Sequence, residues 1–495
     1  MYKFVSTPLR RINWIMCKPQ SKFRRRENFL DNISQPNQKE IGDLTNMKST
    51  KIVIIGLGVG GFIAAKTAKK VNPDTQITII DEKKYDMFSA CGLPFVIEGI
   101  IEDFDELKHS LPTEKMNMVK LLNHRVTSID PENKSLTAVD IDSNETKTIQ
   151  YDSAIIATGA SPFVPPVPGA HELLDKGVFV ISDPENSKKV VGYSKGASSA
   201  VVVGAGAIGL EVGAAIKAKN IDVTLVEMLP HSFPKSIDPD IARILEKGLK
   251  ETGIKLMMGA SLEKISGDNK VTSVTVNGEI LPADMVIMAS GVRANWNLAK
   301  DAGCKLGNWG IMTNAKMETS IPGIYAIGDC VETVSPINHM PWMSQLSTTA
   351  YRQGITAGTN AAGGYDTFGG SLTTFVSVIG KMEVSATGFN QFFAKSAGYE
   401  VVIGKASGFT RPEWYPGAKE ITVKILADAK TGKIIGGQAI GEEGAAARVN
   451  LISLAIKGGM DLHDLYNTEL AYCPAVAEAY DPLTKACEFA IRKMK

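Results

Sequence analysis

No two cysteines of this 495-residue chain stand in a CxxC spacing. Its six, Cys17, Cys91, Cys304, Cys330, Cys473 and Cys487, are scattered along the whole length. A zinc ribbon or a vicinal dithiol motif is therefore excluded, and no metal site is expected. An unbroken apolar run of about 18 residues is also missing, so no transmembrane helix is expected. There is almost no net charge: 54 basic residues against 53 acidic ones leave +1. Bulk electrostatics thus offers no drive toward nucleic acid or a membrane surface. Low-complexity runs are absent too, and much of the glycine (46 residues) is concentrated in a few loop-like places. What remains is 44% hydrophobic and 22% charged, the composition of a globular enzyme or binding protein. The length is enough for two to four domains. So few cysteines fit a reducing, cytoplasmic setting with one or two reactive thiols.

The first 46 residues read as a separate, disordered extension. Met1 to Arg26 carries Lys3, Arg10, Arg11, Lys18, Lys22 and Arg24 to Arg26 with no Asp or Glu. That is the composition of an organellar transit peptide. An upstream start codon, with Met47 as the working initiator, explains it equally, because folded patterning begins at Lys51.

Lys51-Ile52-Val53-Ile54-Ile55 is a short apolar run of the kind a buried parallel strand needs. It leads into Gly56-Leu57-Gly58-Val59-Gly60-Gly61, then a helical stretch from Phe62 to Lys70, a second strand over Gln76–Ile80, and Asp81 at its end. Gly56 permits the tight turn, Gly58 lets a pyrophosphate approach the backbone, and Gly61 lets helix and strand pack closely. Asp81 can accept hydrogen bonds from a ribose. The device then repeats. Ser199–Val203 runs into Gly204-Ala205-Gly206-Ala207-Ile208-Gly209, a helix follows, and Val223–Val226 ends at Glu227. Two dinucleotides are expected. Glu227 would hold a free ribose 2′-hydroxyl and repel a 2′-phosphate, favouring NADH while leaving NADPH possible.

Other stretches are weaker by themselves. The strand from Tyr151 ends in Ala157-Thr158-Gly159. Ala283 to Gly291 reads as a further strand of the second unit. Ile324 to Cys330 ends in Gly328-Asp329, with a helix expected from about Trp342 to Asn360. Asp329 could bond ligand hydroxyls or serve as a turn residue. His124–Pro131 and Ser135–Val139 read as strands around a turn, and His109 and His124 either as functional histidines or, more in keeping with their surroundings, as surface or hydrogen-bonded structural ones. From Thr373 the texture changes. Val384–Gly388, Val401–Ala406 and Lys419–Leu426 read as antiparallel strands, Asp428–Lys433 as a hairpin turn, and Ala445–Lys457 and Val476–Lys493 as helical segments.

Between the first unit and the second lies Tyr85-Asp86-Met87-Phe88-Ser89-Ala90-Cys91-Gly92-Leu93-Pro94-Phe95. An isolated cysteine is usually a small buried hydrophobe. One that follows a nucleotide loop and precedes Gly-Leu-Pro can instead be a thiolate held against a cofactor.

Taken in this order, these motifs resemble the flavin-dependent pyridine nucleotide-disulfide oxidoreductases over nearly all of residues 47–495. Cys91-Gly92-Leu93-Pro94-Phe95 is similar to the single-cysteine branch, which holds coenzyme A disulfide reductase, NADH oxidase and NADH peroxidase. The resemblance implies an α/β fold: two Rossmann-like dinucleotide-binding domains of the three-layer ββα type and a C-terminal α+β dimerisation domain. The implied boundaries are 47–170 with 295–368 for the FAD domain, 171–294 for the NAD(P)H domain and 369–495 for dimerisation. FAD would lie on Gly56, Gly58, Gly61, Asp81, Thr158, Gly159 and Asp329. The nicotinamide nucleotide would lie on Gly204, Gly206, Gly209 and Glu227, with Glu211 near the nicotinamide. Ala471-Tyr472-Cys473-Pro474 resembles the segment that crosses a two-fold axis to the partner's cysteine, and Trp414-Tyr415-Pro416-Gly417 a Tyr-Tyr-Pro-Gly of the same branch. A homodimer with shared active sites is implied.

The chain also departs from the branch. Its NADH oxidases and peroxidases carry a histidine in the first glycine loop, where Val59 stands here. Its coenzyme A disulfide reductases often carry Ser and Asn four and one residues before the cysteine, where Met87 and Ala90 stand. Lys70 matches a basic position used for the coenzyme and reads equally as a solvated helix-end lysine. Cys473 reads as a buried bystander or a resolving thiol.

The implied mechanism passes hydride from NADH to the flavin and two electrons on to an oxidised Cys91, as mixed disulfide, persulfide or sulfenic acid. Cys91 is expected to have its pKa lowered, helped by a following helix N-terminus. Tyr472 of the partner subunit is expected to protonate a leaving thiolate. The electron acceptor would be a disulfide such as coenzyme A disulfide, a polysulfide or sulfur, or oxygen. A flavoprotein that senses redox state or binds a partner, with slow turnover, is the alternative of another class.

Overall fold

The computed structural model describes residues 49–494. The expectations for residues 1–46, disorder, targeting or an upstream start, lie outside the described residues. Among the described residues no helix is long and apolar enough to cross a membrane.

The first unit is a five-stranded, all-parallel sheet. Its order is Ile324–Ala326, Ser153–Ile156, Lys51–Ile55, Gln76–Asp81, Met118–Leu122. The edge strand arrives 168 residues after the strand it pairs with ended, so the chain leaves this unit and comes back. The second unit has the same layout: Val178–Phe179, Met285–Met288, Ser199–Val203, Asp222–Glu227, Lys255–Met258, again all parallel. In each unit a three-stranded antiparallel meander is inserted before a later strand of the sheet: His124–Asp130 through Gln150 before Ser153–Ile156 in the first, and Leu262–Ser266 through Pro282 before Met285–Met288 in the second. The central strands are apolar on both faces: Ile52 to Ile55 and Ala200 to Val202 are all buried. That requires cover on both sides, which helices on one face and the meander on the other supply.

Two short crossings connect the units. Ala160–Pro162 leads out and Val292–Ala294 leads back, paired antiparallel. After the return comes a third unit, a five-stranded antiparallel sheet in the order Phe375–Ile379, Met382–Gly388, Ile434–Gly441, Glu420–Asp428, Val401–Phe409. Helices Ala445–Lys457 and Pro482–Ile491 pack on it through Val449, Ile452, Leu483, Ala486 and Cys487.

Several element boundaries differ from expectation. The helix expected from Trp342 begins at Ser347. Pro341 and Trp342 instead pair with Val334 and Thr333, and the indole is held by its N–H on Thr373 Oγ1 (2.6 Å) and by the rings of Phe389 and Phe393. The last helix begins at Pro482, because Asp481 caps it by accepting from Leu483 N and proline favours the first turn. The stretch Asn467–Tyr480 before it has no regular structure and is largely exposed. Ile434–Gly441 escaped notice as a strand because of Gly436 and Gly437. A Cβ on Gly436 would come 1.9 Å from Phe389 O, and one on Gly437 2.5 Å from Ile452 Cδ1, so close packing selects glycine where strand propensity would not.

Candidate functional site

The two glycine loops are built alike, atom for atom. Gly56 has φ +109° and Gly204 +108°, a region that disfavours any side chain. Their N–H groups donate to Ile80 O and Val226 O, each at 2.8 Å. A Cβ would meet Ala157 O at 2.2 Å in the first loop and Ala289 O at 2.3 Å in the second. The third glycines are as tightly held: a Cβ on Gly61 would stand 2.1 Å from Gly56 O, and on Gly209 1.9 Å from Gly204 O. The middle glycines differ from both. Around Gly58 and Gly206 nothing lies within 4 Å of a built Cβ, which leaves the backbone open to a pyrophosphate in each loop.

The strand-end acids do more than was expected of them. Asp81 accepts from Leu57 N (2.5 Å) and Lys83 N (2.8 Å). Glu227 accepts from Ala205 N and Leu229 N, each at 2.8 Å. Both carboxylates therefore fasten the glycine loop to the strand end, and Asp81 Oδ1 and both Glu227 oxygens, each with one donor, keep a lone pair for a ribose hydroxyl. Asp81 carries a salt bridge to Lys83 Nζ at 2.6 Å as well.

Thr158 and Gly159 form a clamp at the crossing. Thr158 Oγ1 donates to Asn295 O (2.6 Å), Asn295 Nδ2 donates to Thr158 O (2.9 Å), and Asn295 N donates to Gly159 O (3.0 Å). The two passages of the chain are thus stitched together at the first unit's mouth. Asp329 lies in the turn Gly328–Cys330, whose Gly328 N–H is held by Gln353 Oε1 at 2.7 Å. Burial pushes the Asp329 carboxyl up to about 6. It makes no hydrogen bond among the described residues, as a group awaiting ligand hydroxyls would.

Cys91 occupies a single 3₁₀ turn, Ala90–Gly92, and the helix Leu93–Glu98 follows directly, with Pro94 in its first turn. Leu93, Val96 and Ile97 pack with Leu210, Val212 and Ala215 of the second unit's loop helix, Ala207–Ala218. This docking draws the cysteine to the junction of the two nucleotide units. As a residue Cys91 is open to solvent, yet protein atoms crowd its sulfur enough to desolvate it. Its pKa is raised, by burial first, then by the negative charges of Glu211 and Asp329, against a backbone hydrogen bond that lowers it. The sequence expectation was the opposite. It counted the helix N-terminus and left out the two carboxylates that the fold brings alongside. Cys91, Glu211 and Asp329 thus come together from three separate parts of the chain.

Glu211 has a partner that sequence reasoning missed. Ser377, on the edge strand of the third unit, donates to Glu211 Oε1 at 2.5 Å across 166 residues. Burial raises the Glu211 pKa, and this hydrogen bond opposes the rise. No local signal in Phe375–Ile379 marks Ser377; only the tertiary fold does.

Tyr472 is 52% exposed and sits with Cys473 on the Asn467–Tyr480 stretch of the third unit, and Cys473 is exposed too, not buried as expected, because that stretch packs against no core. It makes no hydrogen bond among the described residues. Within one chain it is not joined to the Cys91 turn. Among the described residues, no group of three or more His, Cys, Asp or Glu is arranged to hold a metal ion.

The open middle glycines, the Asp329 carboxyl and the thiol between them fit a flavin dinucleotide in the first loop and a nicotinamide dinucleotide in the second. Comparison with known proteins agrees. Residues 50–354 match the family described as pyridine nucleotide-disulphide oxidoreductase, and residues 374–483 match its dimerisation domain. The chain is 41% identical to an NADH oxidase of Methanocaldococcus jannaschii, over 90% of this chain and 99% of that protein. It is 32% identical to an NAD(P)H coenzyme A polysulfide/persulfide reductase of Pyrococcus horikoshii, over 88% and 97% respectively. Among solved structures, an NAD-dependent persulfide reductase from A. fulgidus superposes with a TM-score of 0.86 at 31% identity, covering 90% of this chain and 83% of that one.

Proposed function

The chain belongs to the pyridine nucleotide-disulphide oxidoreductase family, and from that premise we propose that it reduces a sulfur–sulfur bond at Cys91 with electrons from NADH. The substrate class is a disulfide such as coenzyme A disulfide or, by the same chemistry, a persulfide or polysulfide. The observation that supports this reading is that the carboxylates of Glu211 and Asp329, one from each nucleotide unit, both bear on the Cys91 thiol.

FAD, when bound, accepts hydride from the nicotinamide and supplies an electron pair to sulfur. The protein's part is to hold and orient. Gly56, Gly58 and Gly61 with Asp81 would hold the flavin's pyrophosphate and ribose, Thr158 and Gly159 the mouth of its site, and Asp329 its hydroxylated chain. Gly204, Gly206, Gly209 and Glu227 would hold NADH, and the charge of Glu227 disfavours a 2′-phosphate. Glu211, steadied by Ser377, would face the nicotinamide side. Cys91, as thiolate, attacks the substrate. Each turnover expels two sulfur leaving groups, and Tyr472 of the partner subunit would protonate one of them, which requires a homodimer with shared sites.

Oxygen reduction is a second reading, favoured by the 41% identity to a protein named NADH oxidase. One experiment separates the two. In Cys91→Ser, NADH consumption with coenzyme A disulfide or polysulfide should fall to background. Full retention of that activity would overturn the thiol mechanism, and oxygen consumption that survives in the variant would identify direct oxidation of the flavin. Negligible turnover of the wild type with every acceptor would favour a sensing role.

A further inference from the structure

The residues four and one before Cys91 are Met87 and Ala90, and neither can donate or accept a proton. The neighbouring strand supplies what they lack. Met87 and His109 stand directly opposite each other in the two-stranded ribbon Met87–Phe88 and Lys108–His109. Directly opposed residues of an antiparallel pair point to the same face. The imidazole is exposed, and its Nε2 lies 2.7 Å from Ser89 Oγ. Ser89 is itself the first residue of the Cys91 turn: its carbonyl accepts from Gly92 N (3.0 Å), and its N–H donates to Leu107 O (2.9 Å). A Cβ on Gly92 would come 2.3 Å from Leu107 Cδ2. Cysteine turn and histidine strand are therefore pinned to each other at Leu107 by backbone and side chain. With Nε2 engaged by Ser89, Nδ1 makes no hydrogen bond among the described residues.

We propose that His109, held by Ser89, is the general acid that protonates the first sulfur expelled when Cys91 attacks its substrate. The inference rests on the reading of Cys91 as the attacking thiol. The Cys91 thiolate attacks one sulfur of R–S–S–R′, and a Cys91–S–S–R bond forms. The R–S–S–R′ bond breaks with its electron pair on R′S, the imidazolium Nδ1–H passes its proton to that sulfur, and R′SH departs. The imidazole then recovers a proton from solvent. One disulfide is exchanged for another, and no external oxidant or reductant enters the step. Imidazole suits this role because, with Nε2 held by Ser89, its second ring nitrogen can carry a proton and release it. Tyr472 of the partner subunit is left for the second expelled sulfur. The assignment favours substrates whose departing thiolate is strongly basic, as alkyl thiolates are.

Leaving-group dependence tests it. The holoenzyme is reduced anaerobically with limiting NADH, and the Cys91 rate is measured with three probes. Iodoacetamide expels no thiolate. Dithiodipyridine expels a weakly basic one, and cystamine an alkyl thiolate. His109→Gln should slow the cystamine reaction by about 10²-fold, the lower end of what a positioned acid contributes, and leave the other two rates unchanged. Ser89→Ala should show the same pattern with a smaller loss. An unchanged cystamine rate would overturn the proposal, and so would equal slowing of all three probes, which would mean that the Cys91 turn had merely shifted. Cys91→Ser distinguishes the premise: if that variant still reduces disulfide with NADH, the reading of Cys91 fails, whereas a dead Cys91→Ser beside a normal His109→Gln removes only the acid.

Discussion

At the scale of single residues, charge around Cys91 decides its reactivity. Burial, then Glu211, then Asp329 raise its pKa. Removing one of those negative charges must lower it, since the thiolate is then less opposed. Glu211→Gln should therefore move the pH midpoint of iodoacetamide alkylation downward and speed the reaction at neutral pH; a midpoint that stays or rises would show that Glu211 does not act on the thiol. Ser377→Ala works in the other direction on Glu211. It takes away the hydrogen bond that opposes burial, so the carboxyl holds its proton to higher pH. The Glu211 carboxyl's own titration midpoint, read from its C=O band in infrared difference spectra, should therefore move up, and an unchanged midpoint would show that Ser377 does not act on it. Asp329 gives a further check. At about 6, it is partly protonated just below neutrality, and hydroxyl donors that bond its charged form would bring it down. The cysteine itself was legible in the sequence from its position after a nucleotide loop. The carboxylates that raise its pKa were not, because they lie 120 and 238 residues further along and only the packing of Leu93–Glu98 on Ala207–Ala218 brings them near.

At the scale of elements, the two glycine loops can be broken separately. Gly56→Ala meets a carbonyl oxygen at 2.2 Å in a positive-φ conformation, which adds strain of about 1–3 kcal/mol before any ligand is lost. It should yield protein without flavin absorbance. Gly204→Ala meets the equivalent oxygen at 2.3 Å and should keep its flavin while losing affinity for NADH. If either substitution removed both ligands, the loops would not be independent. These loops were legible because their geometry depends on local spacing alone. A buried ionic knot between the second and third units was not. Lys424, 1% exposed on the strand Glu420–Asp428, lies 2.9 Å from Asp238 and 2.6 Å from Asp240 at the start of the helix Pro239–Glu251. Gln438 Nε2 donates to Asp238 at 2.8 Å, and Gln391 N donates to it at 2.9 Å. Lys424→Met strands the buried Asp238 without its cation, while Asp240 keeps Lys405 at 2.9 Å, and should cost about 3–5 kcal/mol, read as a lowered denaturation midpoint. A loss under about 1 kcal/mol, the worth of an exposed pair, would contradict the account. A lysine in a run of apolar strand residues announces no partner, so sequence alone could not find this contact.

At the scale of the whole molecule, one subunit is incomplete by this account, because it draws Tyr472 from the partner subunit, and within one chain no hydrogen bond among the described residues joins Tyr472 to the Cys91 turn. Mixed dimers test that. A Cys91→Ser subunit paired with a Tyr472→Phe subunit has one intact site, formed by the cysteine of one and the tyrosine of the other. A two-fold dimer of this kind should regain about half the wild-type rate, whereas each homodimeric variant stays slow. Failure to regain activity would place both groups in one chain, and a Tyr472→Phe homodimer as fast as the wild type would remove Tyr472 from the chemistry. The repeated parallel sheets were foreseeable from the repeated motif. The return of Ile324–Ala326 to the first sheet followed only from resemblance, since a three-residue edge strand carries no pattern of its own. The central claim is that Cys91 lies against the flavin as its electron relay. Anaerobic titration of the purified protein with NADH tests this most directly, with Cys91→Ser run beside it. The account predicts a long-wavelength thiolate-to-flavin charge-transfer band that grows with the first two electrons in the wild type and is absent from the variant. Flavin bleaching with no such band, identical in both proteins, would contradict it.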